Sequence, residues 1–346
     1  TSLRLSLGNS NAFFLDSICF SQALQGGGSH NYNFTAANST ALFRGAGGLN
    51  SRMSVFAIGD AASPAAPGNA NVRGQVNFAN QANTSVDALV DRLWLSVDRT
   101  NNNGQMTLQA TLVYSNGVFD VNDAYLGYQR SGVNQGAAAS TGFAGPEGTV
   151  TVNGTGLFKV NRNLHLGYTT APAPAGTTSA ERTFGKVVVG TGTLAVSNVV
   201  VGGVTKLTTN SVISLGGGKM FVTNSVGAAD GRLAVFSATN NSQITLLGVS
   251  VGSTNVFVKK LSIPGGALGS AVFNIPVIGG SPTYPVTIPV ISYDSSLPAD
   301  PALYAGITAG TLPSGVRIQT IVDNTTDKVI EFTFATGAPN LLAWRG

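Results

Sequence analysis

The chain has 346 residues, 44 of them glycine, and carries 19 Lys and Arg against 15 Asp and Glu for a net charge of +4. Only 10% of residues are charged, far below the roughly 25% of an ordinary globular domain, and no basic cluster exceeds Lys259–Lys260. This argues against a nucleic-acid partner, which needs a concentrated basic footprint. The single cysteine, Cys19, excludes an intrachain disulfide framework and a cysteine-built zinc site, and no apolar run reaches the roughly 18 residues of a membrane span.

Val, Leu, Ile and Phe are plentiful enough for a packed core, so the chain is expected to fold. It opens directly on alternating Leu3, Leu5 and Leu7 without a leader-like segment, as a mature protein or a fragment would. A surface of Asn, Thr, Ser and Gly, poor in Lys and Glu, fits an extracellular, cell-surface location.

In chain order, an eight-residue phrase recurs six times: Leu15–Gln22, Met53–Asp60, Val90–Val97, Val121–Tyr128, Val160–Tyr168 with one extra residue, and Val196–Gly203. Repetition at a period of roughly 20–50 residues marks a solenoid or array. The first, fourth and sixth positions are apolar. The last two of these give the inward pairs Ile18 and Phe20, Phe56 and Ile58, Leu93 and Leu95, Ala124 and Leu126, Leu164 and Leu166, and Val199 and Val201, because residues two apart on a strand share a face. The seventh is Gly or Ser, as a corner requires. The second is mostly Asp, Asn or Ser, with Asn122 and Asn161 marking a bend.

A second phrase precedes it at 111–122, 150–161 and 187–197, with a weaker relative at 212–224. Each combines an alternating strand, a Gly-containing corner and another strand. Three short strands per turn predict an all-β fold, a right-handed parallel β-helix (β-solenoid). Gly/Ala/Ser/Pro loops at 61–71, 130–147 and 169–181 protrude from its corners. Each repeat has room for one long-looped coil or nearly two short ones. A lectin-type β-sandwich is the alternative, but sandwich strands do not repeat with fixed corner residues. Residues 1–264 are assigned to the repeats. Residues 265–346, where prolines gather, are assigned to terminal coils plus a less regular cap, with a hairpin of 316–322 and 328–334.

With the repeats laid out, the chain resembles the autotransporter-like β-helical surface proteins of Gram-negative bacteria. The resemblance is carried by the Val-Asn phrases at 121–128 and 160–168, the run Gly148–Gly156, and Ile288–Tyr293. It implies an extracellular structural or adhesive role and supplies no catalytic residues.

Candidate chemistry is sparse. His165 falls in an outward column with Cys19, Ala57, Trp94, Tyr125 and Val200, and is expected to be an exposed member of a side-chain stack. Trp94, Tyr125, Tyr128 and Tyr168 could form an aromatic strip for sugar rings. Asp120/Asp123 and Asp87/Asp91 are the carboxylate pairs a glycoside-cleaving enzyme would need, and beside turns they read more simply as solvated turn residues. Asp98–Gly104 offers one carboxylate where a calcium loop needs several. No catalytic residue, metal or cofactor is assigned.

A solenoid exposes unpaired strand edges at its ends. The expected function is therefore a structural subunit of a surface filament, polymerising head to tail, or a rigid stalk joined to neighbouring modules. A carbohydrate-binding adhesin is the alternative, and a polysaccharide lyase or hydrolase, marked by a cleft where Asp meets Arg or Lys, a more distant one.

Overall fold

The computed structural model describes residues 4–23, 28–61, 72–98, 108–129, 146–170, 183–203, 210–264, 271–294 and 305–337. These residues form β-strands and turns, and all but the last strands pair in parallel, as in a β-solenoid. The loops expected at 61–71, 130–147 and 169–181 fall largely outside the described residues.

Coil one comprises β1 (Arg4–Leu7), β2 (Ser10–Phe14) and β3 (Ser17–Ala23); coil two comprises β4 (Gly28–Phe34), β5 (Thr40–Arg44) and β6 (Met53–Ala61). In coils three to five the second and third strands run on without a break. There β7 (Val72–Asn77), β9 (Leu108–Tyr114) and β11 (Glu147–Val152) are followed by the long β8 (Ser85–Asp98), β10 (Gly117–Gln129) and β12 (Leu157–Thr169). The first part of β8 pairs with β5 and its second part with β6, so one strand serves two faces. Coils six to nine are β13 (Phe184–Val189) with β14 (Thr193–Val201), β15 (Asn210–Gly216) with β16 (Lys219–Val226), β17 (Leu233–Thr239) with β18 (Ser242–Leu246), and β19 (Val256–Ser262) with β20 (Ala271–Asn274).

The register answers the coil-count question: one repeat makes one coil. Thr111 lies opposite Thr149 and Thr149 opposite Lys186, steps of 38 and 37 residues. From there the coil shortens. Lys186 pairs with Val212 and Val212 with Val235, steps of 26 and 23.

Inward side chains stack in columns that follow this register. Val76, Leu112, Val150, Val187, Ile213, Phe236 and Leu261 line the first face. Phe119, Phe158, Leu194, Met220, Ile244 and Phe273 line the second. The third face carries the predicted pairs from Phe56 and Ile58 to Val199 and Val201, all buried in one continuous core, with Ile18 partly buried against it. The first coils fill that core with aromatic rings: Phe20, Phe43, Phe56, Phe78 and Phe119 meet at centroid distances of 5.1–6.4 Å. Such pairs contribute about 0.5–1.5 kcal/mol each beyond their burial.

Every seventh position of the repeated phrase is left-handed: Ser21, Gly59, Ser96, Gly127, Gly167 and Gly202 have φ between 59° and 79°. At Gly127 glycine is obligatory, because a Cβ would lie 2.6 Å from the Pro146 carbonyl oxygen and against that of Phe184. The two serines bear a cost of about 1–2 kcal/mol each and recover part of it by hydrogen bonding. Ser96 Oγ accepts the Glu147 N–H at 3.1 Å, and Ser21 Oγ donates to the Arg73 carbonyl at 3.4 Å.

The C-terminal part departs from parallel winding. β21 (Val286–Ser292) adds two parallel pairs to β19, and β22 (Ile307–Ala309) pairs with β20. Then β23 (Val316–Asn324) and β24 (Val329–Thr336) form the expected hairpin, and β24 lies antiparallel on β21. Ile330, Phe332 and Phe334 are fully buried, with Phe332 5.9 Å from Phe273. The hairpin thus closes this end of the core and occupies the outer edge of β21. Pro289 is accommodated at a register shift in that pairing, where proline costs the ladder least.

Candidate functional site

The outer surface of the third face holds most of the chain's polar chemistry, and the bend in β8, β10 and β12 creates it. At the bend the register skips, so that Asn161 and Arg162 stand opposite the single residue Asn122. The bulge turns short polar side chains along the stack. Asn122 Nδ2 donates to Asp91 at 2.7 Å; Asn161 Nδ2 donates to Asp120 at 2.6 Å and to Asn122 Oδ1 at 3.2 Å; Ser197 Oγ donates to the Asn161 carbonyl at 2.7 Å. A parallel row runs from Asp123 through Asn163 to Asn198, each amide donating to the group one coil back at 3.3 Å.

The four carboxylates considered for catalysis are engaged between coils. Asp120 pairs with Arg52 at 2.5 Å and Lys159 at 2.9 Å; Asp123 pairs with Arg162 at 2.7 Å; Arg162 also reaches Asp91 at 3.2 Å; Asp87 pairs with Arg44 at 2.6 Å. Burial would raise the Asp120 carboxyl's pKa. Hydrogen bonds from Lys159, Arg52 and Asn161, with the Arg52 charge, outweigh burial and hold it below the ordinary value of 3.8. It stays ionised as the centre of a cross-coil ion network. These groups latch coil to coil.

The aromatic strip exists, and its surroundings differ from the expectation. The register reproduces the aligned column: Cys19, Ala57, Trp94, Tyr125, His165 and Val200 are successive neighbours. The structure brings Trp94, Tyr125, Tyr128 and Tyr168 together around Ala57 and Val97 as a second apolar cluster outside the solenoid wall. Trp94 and Tyr128 are buried, and Tyr125 and Tyr168 half-buried. His165, expected to be exposed, is 8% exposed. The reason is rung spacing: its ring stacks on Tyr125 at 4.3 Å and 6°, while Tyr168 meets it edge-on at 4.4 Å.

Burial lowers the His165 pKa to about 4, opposed by the Asp123 charge, and Nδ1 has no hydrogen-bond partner among the described residues. The imidazole is neutral and apolar in character at neutral pH. Val97 was not singled out from the sequence. The signal was present: in coils three to five the residue after the corner is Val97, Tyr128 or Tyr168, apolar on the same outer side as the fifth position. Of the segment Asp98–Gly104, weighed against a calcium loop, residues 99–104 lie outside the described residues, and the described residues hold no cluster of His, Cys, Asp and Glu suited to a metal.

The described residues line two notable depressions in the outer surface. One, of about 410 Å³, lies where the aromatic column ends, between Tyr168, Asn198, Val200 and Asp230. The other, of about 490 Å³, lies between the edges of β17 and β19 and the C-terminal hairpin, and gathers Asp230, Arg232, Lys259, Asp294, Asp327 and Lys328. Beside it the Tyr293 hydroxyl donates to Asp323 at 2.6 Å, and Arg232 donates to Ser292 Oγ at 3.0 Å. Its mixed charge suits an anionic or zwitterionic group. Comparisons with protein families, with curated proteins and with solved structures find no significant match.

Proposed function

We propose that this chain is a structural β-solenoid of an extracellular surface, a rigid spacer of the kind found in autotransporter-like proteins. The observation that carries this reading is the use of its scarce charges. Asp87, Asp91, Asp120 and Asp123 are all committed to partners on other coils, so the chemistry of the middle coils reinforces the stack. Stacking at the normal strand spacing of about 4.8 Å per coil gives an elongated body whose stability is nearest-neighbour in origin.

Head-to-tail polymerisation through strand edges has support at one end. Among the described residues, strands β1, β2 and β3 each pair on one side only, with β4, β5 and β6, and Phe14 and Leu15 are exposed. At the other end β24 already covers β21, which favours a spacer over a self-stacking subunit. Small-angle scattering and electron microscopy of the full chain at high concentration test this. An elongated monodisperse monomer is expected; uniform long fibres would replace the spacer reading with the filament one.

A second reading, cleavage of an acidic polysaccharide, draws support from the convergence of Asp230, Asp294 and Asp327 with Arg232, Lys259 and Lys328 in one cleft. It predicts new chain ends when polyuronates are incubated with the protein. Their absence across a pH series, with an Asp327→Asn control, removes this reading.

A further inference from the structure

The depression at the end of the aromatic column has its origin in a missing piece of the repeat. In coils one to six the left-handed corner follows the sixth position of the phrase. In coil seven the same alignment pairs Val196 with Val222, Asn198 with Ser225 and Val199 with Val226. There the corner arrives at once, at Gly227 with φ 70°, whose N–H donates to the Val199 carbonyl at 2.9 Å. Two strand positions have been dropped. Val200 and Val201 therefore have no partner on coil seven, and their outer side opens as a notch. The chain closes its far wall by a tight reversal in which Ala228 and Gly231 exchange backbone hydrogen bonds at 3.1 Å.

The notch gathers three kinds of group. Val200 lies on its floor, and the half-buried Tyr168 ring on one wall ends the aromatic column. The amide row Asn163–Asn198 finishes beside Ser225. Asn198 Nδ2 is used within the row, donating to Asn163 Oδ1 and to the Arg162 carbonyl at 3.3 Å; its Oδ1 and the Ser225 hydroxyl are directed to no described protein group. Asp230 contributes a carboxylate, and the described lining residues include no Lys or Arg.

The volume of about 410 Å³ falls within the roughly 300–1,000 Å³ of small-molecule sites, which combine apolar walls with a few placed polar groups. A pyranose ring has this character, with an apolar C–H face and hydroxyls around its edge. We infer that the notch is a binding site for a neutral saccharide unit, its apolar face against Tyr168 and Val200 and its hydroxyls on Asn198, Ser225 and Asp230. Asp230, the one charged residue among the described lining residues, would repel an acidic sugar, which the charged cleft beside the hairpin would suit instead.

A glycan array probed with the full chain, followed by titration calorimetry on the best neutral oligosaccharide, tests this. Ala228→Trp fills the notch from an exposed position without touching the core or the ladders. It should weaken binding at least about tenfold, as should Tyr168→Ala, which removes the stacking ring. Ser54→Ala, exposed on coil two and outside both depressions, should leave affinity unchanged, and thermal melts identify any variant that has lost its fold. Binding to no neutral glycan, binding confined to acidic glycans, or affinity unaltered by Ala228→Trp in a folded protein would each overturn the inference.

Discussion

Coils three to six and coils seven to nine share one interior and differ on the outside. The inward columns continue through both regions, with Phe236, Ile244 and Phe273 as completely buried as Leu112 and Phe119. Outside, the middle coils carry the bulged bend, two polar rows, the Asp120 ion network and the aromatic cluster. Coil seven drops two third-face positions, and the continuous 13-residue strands β10 and β12, which serve two faces, give way to separate second-face strands of 5 residues in β18 and 4 in β20. Inward alternation is therefore enough to wind a coil. The outward rows are an addition, and they make the middle of the stack its most strongly latched part.

The largest effect that would break this comparison lies in the shared interior. Phe119 meets Phe56, Phe78 and Tyr114, and Phe119→Ala should cost about 3–5 kcal/mol in urea unfolding. Phe273 meets only Phe332 among rings of the described residues, so Phe273→Ala should cost less. Equal losses would show that the extra ring contacts of the early coils add nothing to an interior common to both regions.

Corner geometry comes next. Gly127→Ala drives a methyl into two carbonyl oxygens from neighbouring coils and should cost about 3 kcal/mol or more, combining strain with a clash. Gly315, with a similar φ of 73°, has nothing near its Cβ direction, so Gly315→Ala should cost about 1–2 kcal/mol. Thermal melts of the pair separate crowding from conformational strain.

His165 makes the middle coils sensitive to acid. Its folded pKa of about 4 lies below the ordinary 6.5, so the unfolded chain takes up its proton first. Stability should fall by about 2–3 kcal/mol as pH drops from 6.5 to 4 and level off below. His165→Phe should flatten that slope in urea melts. Asp120 acts lower: its folded pKa lies below 3.8, so its contribution is present above 3.8 and lost as pH falls through the folded value. Asp120→Asn should cost about 1–3 kcal/mol at neutral pH, less at high salt.

Much of this was legible in the sequence because solenoid repeats carry position-specific signals. Aligning the phrase put Trp94, Tyr125 and His165 on neighbouring rungs and placed Ser21 and Ser96 with the corner glycines, as the register and dihedrals show. The hairpin was readable from alternation around a polar turn. Burial of His165 was not, because period-two alternation says which side a residue faces and not whether rings on adjacent rungs cover one another. The docking of β24 on β21 depends on contacts between segments with no repeat relation. The notch follows from a two-residue omission between Val226 and Gly227, in a coil where the sequence showed only a weak relative of the second phrase, at 212–224, and no copy of the eight-residue one.

Native-state hydrogen exchange, resolved along the chain, tests the central claim most directly. If the outward rows latch the middle coils, amides of β8, β10, β12 and β14 should exchange last, and those of β16, β18 and β20 measurably earlier. Uniform protection from coil three to coil nine, or slower exchange in the C-terminal coils, would contradict the account.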